Sequence, residues 1–174
     1  MNGRMCNLIA LHEAYQPGDL RALKTLLKNP PDSPNCRGPQ AVGEIVLQCA
    51  IYHNPVPFVR ALLELGADPN YDDSGGFPSM LAASSSGRAE PHELVELRLA
   101  FGANVLHRGI NDYTPLHDAA ARNDLQMIKL LLAYGANPTE RTRIDDFSTP
   151  IEEAERRKFS QAAQVLKESD KVDK

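Results

Sequence analysis

The sequence is poor in the residues that build small chemical sites. It has three cysteines in 174 residues, and none of them forms a Cys-x-x-Cys pair. An odd number of cysteines without that spacing argues against a disulfide framework or a zinc site, and it favours a reducing compartment. The five histidines include no His-x-x-x-His pair of the kind that zinc hydrolases use. We therefore expect no metal, no cofactor and no enzymatic activity.

Long apolar runs and an excess of positive charge are missing as well. No stretch approaches the roughly 18 apolar residues of a membrane span, and the first residues hold too short an apolar run for a signal peptide. The formal net charge of −4 has the wrong sign for general binding to nucleic acid or anionic membranes. We expect a cytoplasmic, monomeric protein that binds neither, with specialised export left open as an alternative.

The clearest positive signal is a pair of short helices within residues 113–138. Thr114 can act as an N-cap, because its hydroxyl can accept an amide of the first helical turn. Pro115 suits the first helical position, where its missing N–H is not needed. Asn123 fits a left-handed stop between the helices, and Asp124 can cap the second helix.

The second helix of this pair carries an apolar stripe at three- and four-residue spacing. The stripe consists of Leu125, Ile128, Leu131 and Leu132. Gly135 ends the helix, because a residue without Cβ adopts the left-handed terminal geometry at little cost. Such a helix pair has two apolar faces and needs copies of itself on both sides.

Copies of the pattern recur along the whole chain. When the copies are aligned on Pro115, the equivalent residues in chain order are Ala10, Val46, Pro78, Pro115 and Pro150. The spacings are 36, 32, 37 and 35 residues, and a near-constant period in this range indicates a solenoid. The second helix is expected at residues 91–101 in the third copy and at 160–167 in the fifth.

These copies predict one domain over residues 1–168, followed by a polar and frayed tail at 169–174. The repeats are expected at approximately 7–35, 42–70, 74–106, 111–140 and 146–168.

The pattern resembles the ankyrin repeat. The resemblance is carried by Thr-Pro-Leu-His at 114–117, the alanine pair 119–120, and the Gly-Ala-Asp/Asn exits at 66–68, 102–104 and 135–137. It implies an all-α solenoid of about five helix-turn-helix repeats with β-hairpin-like finger loops. It also implies that the histidine of Thr-Pro-Leu-His forms hydrogen bonds within and between turns. The second and third copies lack the threonine–histidine pair, so their turns are expected to be less regular.

The same resemblance implies a concave binding face, made of the fingers and the first helices. Several fingers combine aromatic residues with Arg or Asp, and Tyr and Arg are frequent interface hot spots. Glu153 and Arg157 are expected on the first-helix wall of this face. The candidate partner-binding residues are Tyr52, His53, Tyr71, Asp72, Asp73, Leu81, Arg108, Asp112, Tyr113, Asp118, Arg122, Arg143, Asp145, Asp146 and Phe147. The competing interpretation is that Phe147 packs inward and the charges only solvate the surface.

The sequence thus predicts a protein–protein interaction module that acts as an adaptor or stoichiometric regulator. Two alternatives remain at this stage. One is an inhibitor or immunity-type protein that neutralises an enzyme or toxin, and the other is a secreted effector that binds a host protein.

Overall fold

The structure is a computed structural model that describes residues 46–70, 91–143 and 147–172. The predicted first copy, the first helix of the third copy and residues 71–90 lie outside this part of the chain. The molecule divides into two units at residues 75 and 76, and each unit is described by itself. Seven α-helices and one 3₁₀ turn account for the regular structure of the described residues, in which no strand occurs.

The described residues of the first unit, 46–70, form one helix pair. Helix α1 spans Val46–His53 and α2 spans Val56–Glu64. Pro57 lies in the first turn of α2, where it disrupts no hydrogen bond of the helix. The two helices pack through fully buried side chains such as Ile51, Phe58 and Leu62.

The described residues of the second unit form five helices and the 3₁₀ turn Ile110–Asp112. The helices are α3 at Pro91–Ala100, α4 at Pro115–Ala121, α5 at Leu125–Ala133, α6 at Pro150–Arg156 and α7 at Ser160–Val172. First helices stack on first helices, since α4 packs against α6. Second helices stack on second helices, since α5 packs against both α3 and α7. This stacking of equivalent helices confirms the predicted helix-turn-helix solenoid within the unit.

The helix boundaries follow the local chemistry of the chain. Thr114 caps α4 and Asp124 caps α5 through their side-chain oxygens, as predicted. Asn123 adopts a φ of 57° between these helices, and Gly135 adopts 87° after α5. The threonine–proline start recurs at α6, where Thr149 caps the helix and exchanges hydrogen bonds with Glu152.

Two boundaries differ from the sequence prediction. Helix α3 ends at Ala100, one residue early, whereas α7 continues five residues beyond the predicted end at Lys167. The predicted polar tail is therefore helical as far as Val172. No glycine follows Lys167 to stop the helix, and the hydrogen bond from Gln164 Nε2 to Glu168 Oε1 (2.9 Å) supports its last turns.

The core of the second unit also differs in detail from the predicted stripe. Ile128 and Leu131 are fully buried, whereas Leu125 and Leu132 are only half-buried. Met127 takes a core position that the stripe did not include. The reason is that α5 contacts α3, α4 and α7 at once, so its buried face is wider than a single stripe.

Replacing Leu131 with alanine should lower the free energy of unfolding by about 2–5 kcal/mol, because it leaves a cavity in the centre of the α5 packing. Urea denaturation followed by circular dichroism measures the change. Tyr134→Ala is the matched control, since Tyr134 is exposed at the end of the same helix. Equal stability of the two variants would contradict the assigned packing.

Candidate protein-interaction surface

A compact finger, residues 107–113, precedes helix α4. The Gly109 N–H donates to the Tyr113 carbonyl at 2.8 Å, which closes the finger at its base. Asn111 and Asp112 both have positive φ, 63° and 58°, as in the tight turns that connect hairpin strands. This turn places Ile110 at the tip, where it is 69% exposed. The finger thus holds one apolar side chain in solvent on a constrained backbone.

The next finger, residues 139–147, is built in a comparable way before α6. The Thr142 N–H donates to the Ser148 carbonyl at 3.1 Å, and the Ser148 N–H donates to Thr142 Oγ1 at 3.0 Å. Phe147 has a φ of 48° and is 59% exposed. Phe147 therefore does not pack inward, and its contact with a partner stays a prediction.

The two fingers are joined through their backbones. The Arg143 N–H donates to the Asn111 carbonyl at 3.0 Å. The side chains of Arg108 and Arg143 approach Asp112 Oδ2 at 3.9 and 3.7 Å, and Arg108 also contacts Glu140. The described residues of the two fingers are therefore held against each other by a backbone hydrogen bond and by ion pairs.

His117 fastens this pair of fingers to the helices. Its Nδ1 accepts from the Thr114 N–H at 3.2 Å, so its Nε2 carries the proton and donates to the Ser148 carbonyl at 3.0 Å. Burial lowers the pKa of His117, which keeps the ring neutral as this arrangement requires. The role that the ankyrin resemblance implies for this histidine, within and between turns, is present here.

Two ion pairs in equivalent positions line the first helices. Arg122 Nη2 lies 3.2 Å from Asp118 Oδ1 on α4, and Arg157 Nε lies 2.7 Å from Glu153 Oε1 at α6. We call these four residues the α4–α6 face. Its carboxylates are the deeper groups, and Glu153 is only 3% exposed.

Tyr113 connects this face to the finger. Its ring centroid lies 5.2 Å from that of His117. Burial, together with the negative charges of Asp118 and Glu153, raises the pKa of Tyr113 to about 12. The hydroxyl is therefore a neutral group at physiological pH, able both to donate and to accept a hydrogen bond.

The structure brings together about half of the residues predicted for the site. Those in the second unit around the two fingers are Arg108, Asp112, Tyr113, Asp118, Arg122, Arg143 and Phe147. Tyr52, half-buried, and His53 lie on α1 in the first unit. The other predicted residues lie outside the described part of the chain: Tyr71, Asp72, Asp73, Leu81, Asp145 and Asp146.

Sequence reasoning missed two features of this surface. Ile110 was not among the candidates, although it is the one aliphatic residue of its otherwise polar or aromatic finger, apart from glycine. Glu152 was missed as well. It occupies the position equivalent to His117, caps α6, and pairs with Arg141 at 2.9 and 3.0 Å. The Thr-x-x-Glu pattern at 149–152 could have revealed it.

The described residues contain no cluster of three or more His, Cys, Asp or Glu side chains that could hold a metal ion. Among the helices of this part of the chain, none has the length and apolar character to cross a membrane.

The geometry agrees with comparisons to known proteins. A family model described as the ankyrin repeat matches residues 43–74 and 111–143. The putative E3 ubiquitin-protein ligase XBAT35 of Arabidopsis thaliana is 35% identical over 130 residues, which cover 73% of this chain and 27% of the ligase. The mouse nuclear factor NF-kappa-B p105 subunit is 31% identical over 137 residues, which cover 74% of this chain and 13% of that protein. The Drosophila melanogaster tyrosine-protein kinase Shark is 31% identical over 106 residues, which cover 60% of this chain and 11% of the kinase.

The chain belongs to the ankyrin-repeat proteins. Repeats of this family are protein–protein interaction modules and are generally non-catalytic. The chain spans about a quarter of the length of XBAT35 and smaller fractions of p105 and Shark. The similarity therefore concerns the repeat region of these proteins.

His117 gives the surface a testable dependence on pH. The pKa of His117 is lower in the folded protein than in the unfolded chain, so the unfolded chain binds a proton at higher pH. The free energy of unfolding therefore decreases as pH falls below about 6.5. This contribution has an upper limit of about 1.4 kcal/mol per pH unit. His117→Gln removes the titrating group and should flatten the profile. Urea denaturation at pH 7.5 and pH 5.5 measures the effect, and an identical pH dependence in both proteins would contradict the buried neutral ring.

Proposed function

We propose that this chain binds a protein partner through the exposed side chains of Ile110 and Phe147, on fingers 107–113 and 139–147, together with the α4–α6 face. Binding is stoichiometric and involves no turnover, so the chain acts as an adaptor or regulator of its partner. The observation that carries the proposal is the exposure of Ile110 and Phe147 on two fingers that are hydrogen-bonded to each other.

The rigidity of the surface supports this proposal. An exposed apolar side chain on a mobile loop would have to be ordered upon binding, at a cost in conformational entropy. Here the backbone bond between Arg143 and Asn111 and the His117 bridge to Ser148 already connect the described residues of the fingers to each other and to α4. More of the contact energy is then available for affinity.

The composition of the surface also suits a protein partner. The exposed side chains of Ile110 and Phe147 belong to fingers that also carry arginine, tyrosine and carboxylate residues. Tyr and Arg are over-represented among interface hot spots. The contacts predicted at Asp145, Asp146, Tyr71, Asp72, Asp73 and Leu81 lie outside the described residues and stay predictions. The relatives are named as a putative ubiquitin-protein ligase, a tyrosine-protein kinase and a nuclear factor subunit, so they do not indicate one common partner.

The double variant Ile110→Asp and Phe147→Asn should lose the partner. Asparagine is chosen at position 147 because it tolerates positive φ better than most residues do. Affinity capture from native lysate, read by mass spectrometry, identifies proteins that wild type retains. Calorimetry with the purified partner should then show at least a tenfold weaker Kd for the variant, about 1.4 kcal/mol.

Tyr134→Ser is the matched control, because Tyr134 is also an exposed aromatic residue but lies at the end of α5. It should leave the Kd within about twofold of wild type, as expected for a side chain outside the contact. Unchanged capture by a folded finger-tip variant would refute this site. The identity of a partner that is lost would distinguish an adaptor from an inhibitor of an enzyme or toxin or an effector that binds a host protein.

A further inference from the structure

Four arginines of the second unit occupy repeat-equivalent positions in two pairs. Arg108 and Arg143 lie on successive fingers, and Arg122 and Arg157 end the successive first helices α4 and α6. The members of each pair are 35 residues apart, which is the repeat spacing at this point of the chain. We call these four residues the arginine layer.

Each of these arginines is more exposed than the carboxylate that it contacts. The Arg157 side chain is 50% exposed and that of Glu153 is 4% exposed. The Arg122 side chain is 43% exposed and that of Asp118 is 16% exposed. The same order holds on the fingers, where Arg108 and Arg143 lie outside Asp112 and Glu140. The carboxylates form an inner layer and the guanidinium groups an outer one.

This order has a consequence for recognition. A guanidinium has five N–H donors in a rigid plane, and one carboxylate engages only some of them. The inner carboxylate holds the group in place, which reduces the entropy lost when a second acceptor binds from outside. Arg157 illustrates the arrangement, since its Nε faces Glu153 while half of the side chain faces solvent.

Tyr113 shows that the two pairs of the α4–α6 face belong to one cluster. Asp118, Glu153, Arg122 and Arg157 all act electrostatically on its hydroxyl. An acceptor group placed over Tyr113 would therefore meet arginines of two repeats together.

The charges of the arginine layer and of its carboxylate partners indicate which class of ligand this surface can bind. The charges of the described ion pairs are close to balanced: the four arginines contact Asp112, Asp118, Glu140 and Glu153, and Arg156 also pairs with Glu153. A balanced set creates little long-range field, so it does not attract a polyanion such as nucleic acid from a distance. It favours a ligand whose acceptors are few and discrete, and which makes short, bidentate contacts.

We propose that the arginine layer binds an acidic segment of a protein, whose Asp or Glu carboxylates contact the outer guanidinium groups while an apolar residue of the same segment packs on Ile110 or Phe147. This inference rests on the proposed function and specifies the chemistry of the partner.

A display library of random twelve-residue peptides provides a test that assumes no particular partner. The library is panned against the full chain in four forms. These are wild type, Arg122→Lys with Arg157→Lys, Arg108→Gln with Arg143→Gln, and the finger-tip variant Ile110→Asp with Phe147→Asn. Arg60→Gln is the matched control, because Arg60 is an exposed arginine on α2 of the first unit. Circular dichroism verifies that each variant is folded.

The lysine pair is the sharpest of these variants. Lysine keeps the positive charge beside Glu153 and Asp118, so the fold is preserved, but it loses the planar fork that makes bidentate contacts. Selected peptides should be enriched in Asp and Glu around an apolar residue. Their affinity, measured by fluorescence anisotropy, should fall at least fivefold for the lysine pair and at least tenfold for the glutamine pair, and should not change for Arg60→Gln.

The outcomes separate this inference from the proposed function. Selected peptides without acidic enrichment that are still lost by the finger-tip variant would overturn the inference and leave the binding surface intact. Acidic peptides retained by both arginine variants would overturn the inference as well. Peptides retained by the finger-tip variant would refute the proposed site, and a library without any enrichment would count against both.

Discussion

The candidate binding surface depends on the hydrogen bonds of one neutral imidazole, that of His117. His117 accepts from Thr114 at the start of its own helix and donates to the Ser148 carbonyl at the base of the next finger. One side chain thus sets the start of α4 and the position of the following repeat. The finger backbones then meet at Arg143 and Asn111, so the exposed Ile110 and Phe147 belong to connected segments. Without this link, the apolar and charged groups of the surface would belong to independent loops.

The sequence predicted the helical part of this arrangement well, because it depends on local rules. Thr114, Asp124 and Gly135 each act within one turn of their own position, so their chemistry can be read from neighbouring residues. The width of the buried face of α5 was not predictable in this way. Met127 is buried because three other helices converge on α5, and that convergence is a property of the stacked unit.

The candidate surface was predictable at the level of segments and less so at the level of side chains. Residues 107–113 and the described part of 139–147 lie between repeats, where the ankyrin resemblance implies finger loops. The exposure of Ile110 follows from two consecutive positive φ angles at Asn111 and Asp112, which a sequence pattern does not disclose. The depth of Glu153 beneath Arg157 likewise depends on how α4 and α6 stack. The five-repeat domain and the contacts at residues outside the described ranges stay predictions.

The exchange of His117 for Glu152 at equivalent positions shows that the repeats are not interchangeable modules. The imidazole donates forward, to a carbonyl that only a following repeat can supply. The carboxylate of Glu152 instead accepts from Thr149 in its own repeat and from Arg141 in the finger before it. A repeat with histidine at this position therefore specifies a successor, whereas one with glutamate specifies a predecessor. The residue at this one position, His117 or Glu152, therefore determines whether a repeat bonds to the repeat after it or to the finger before it.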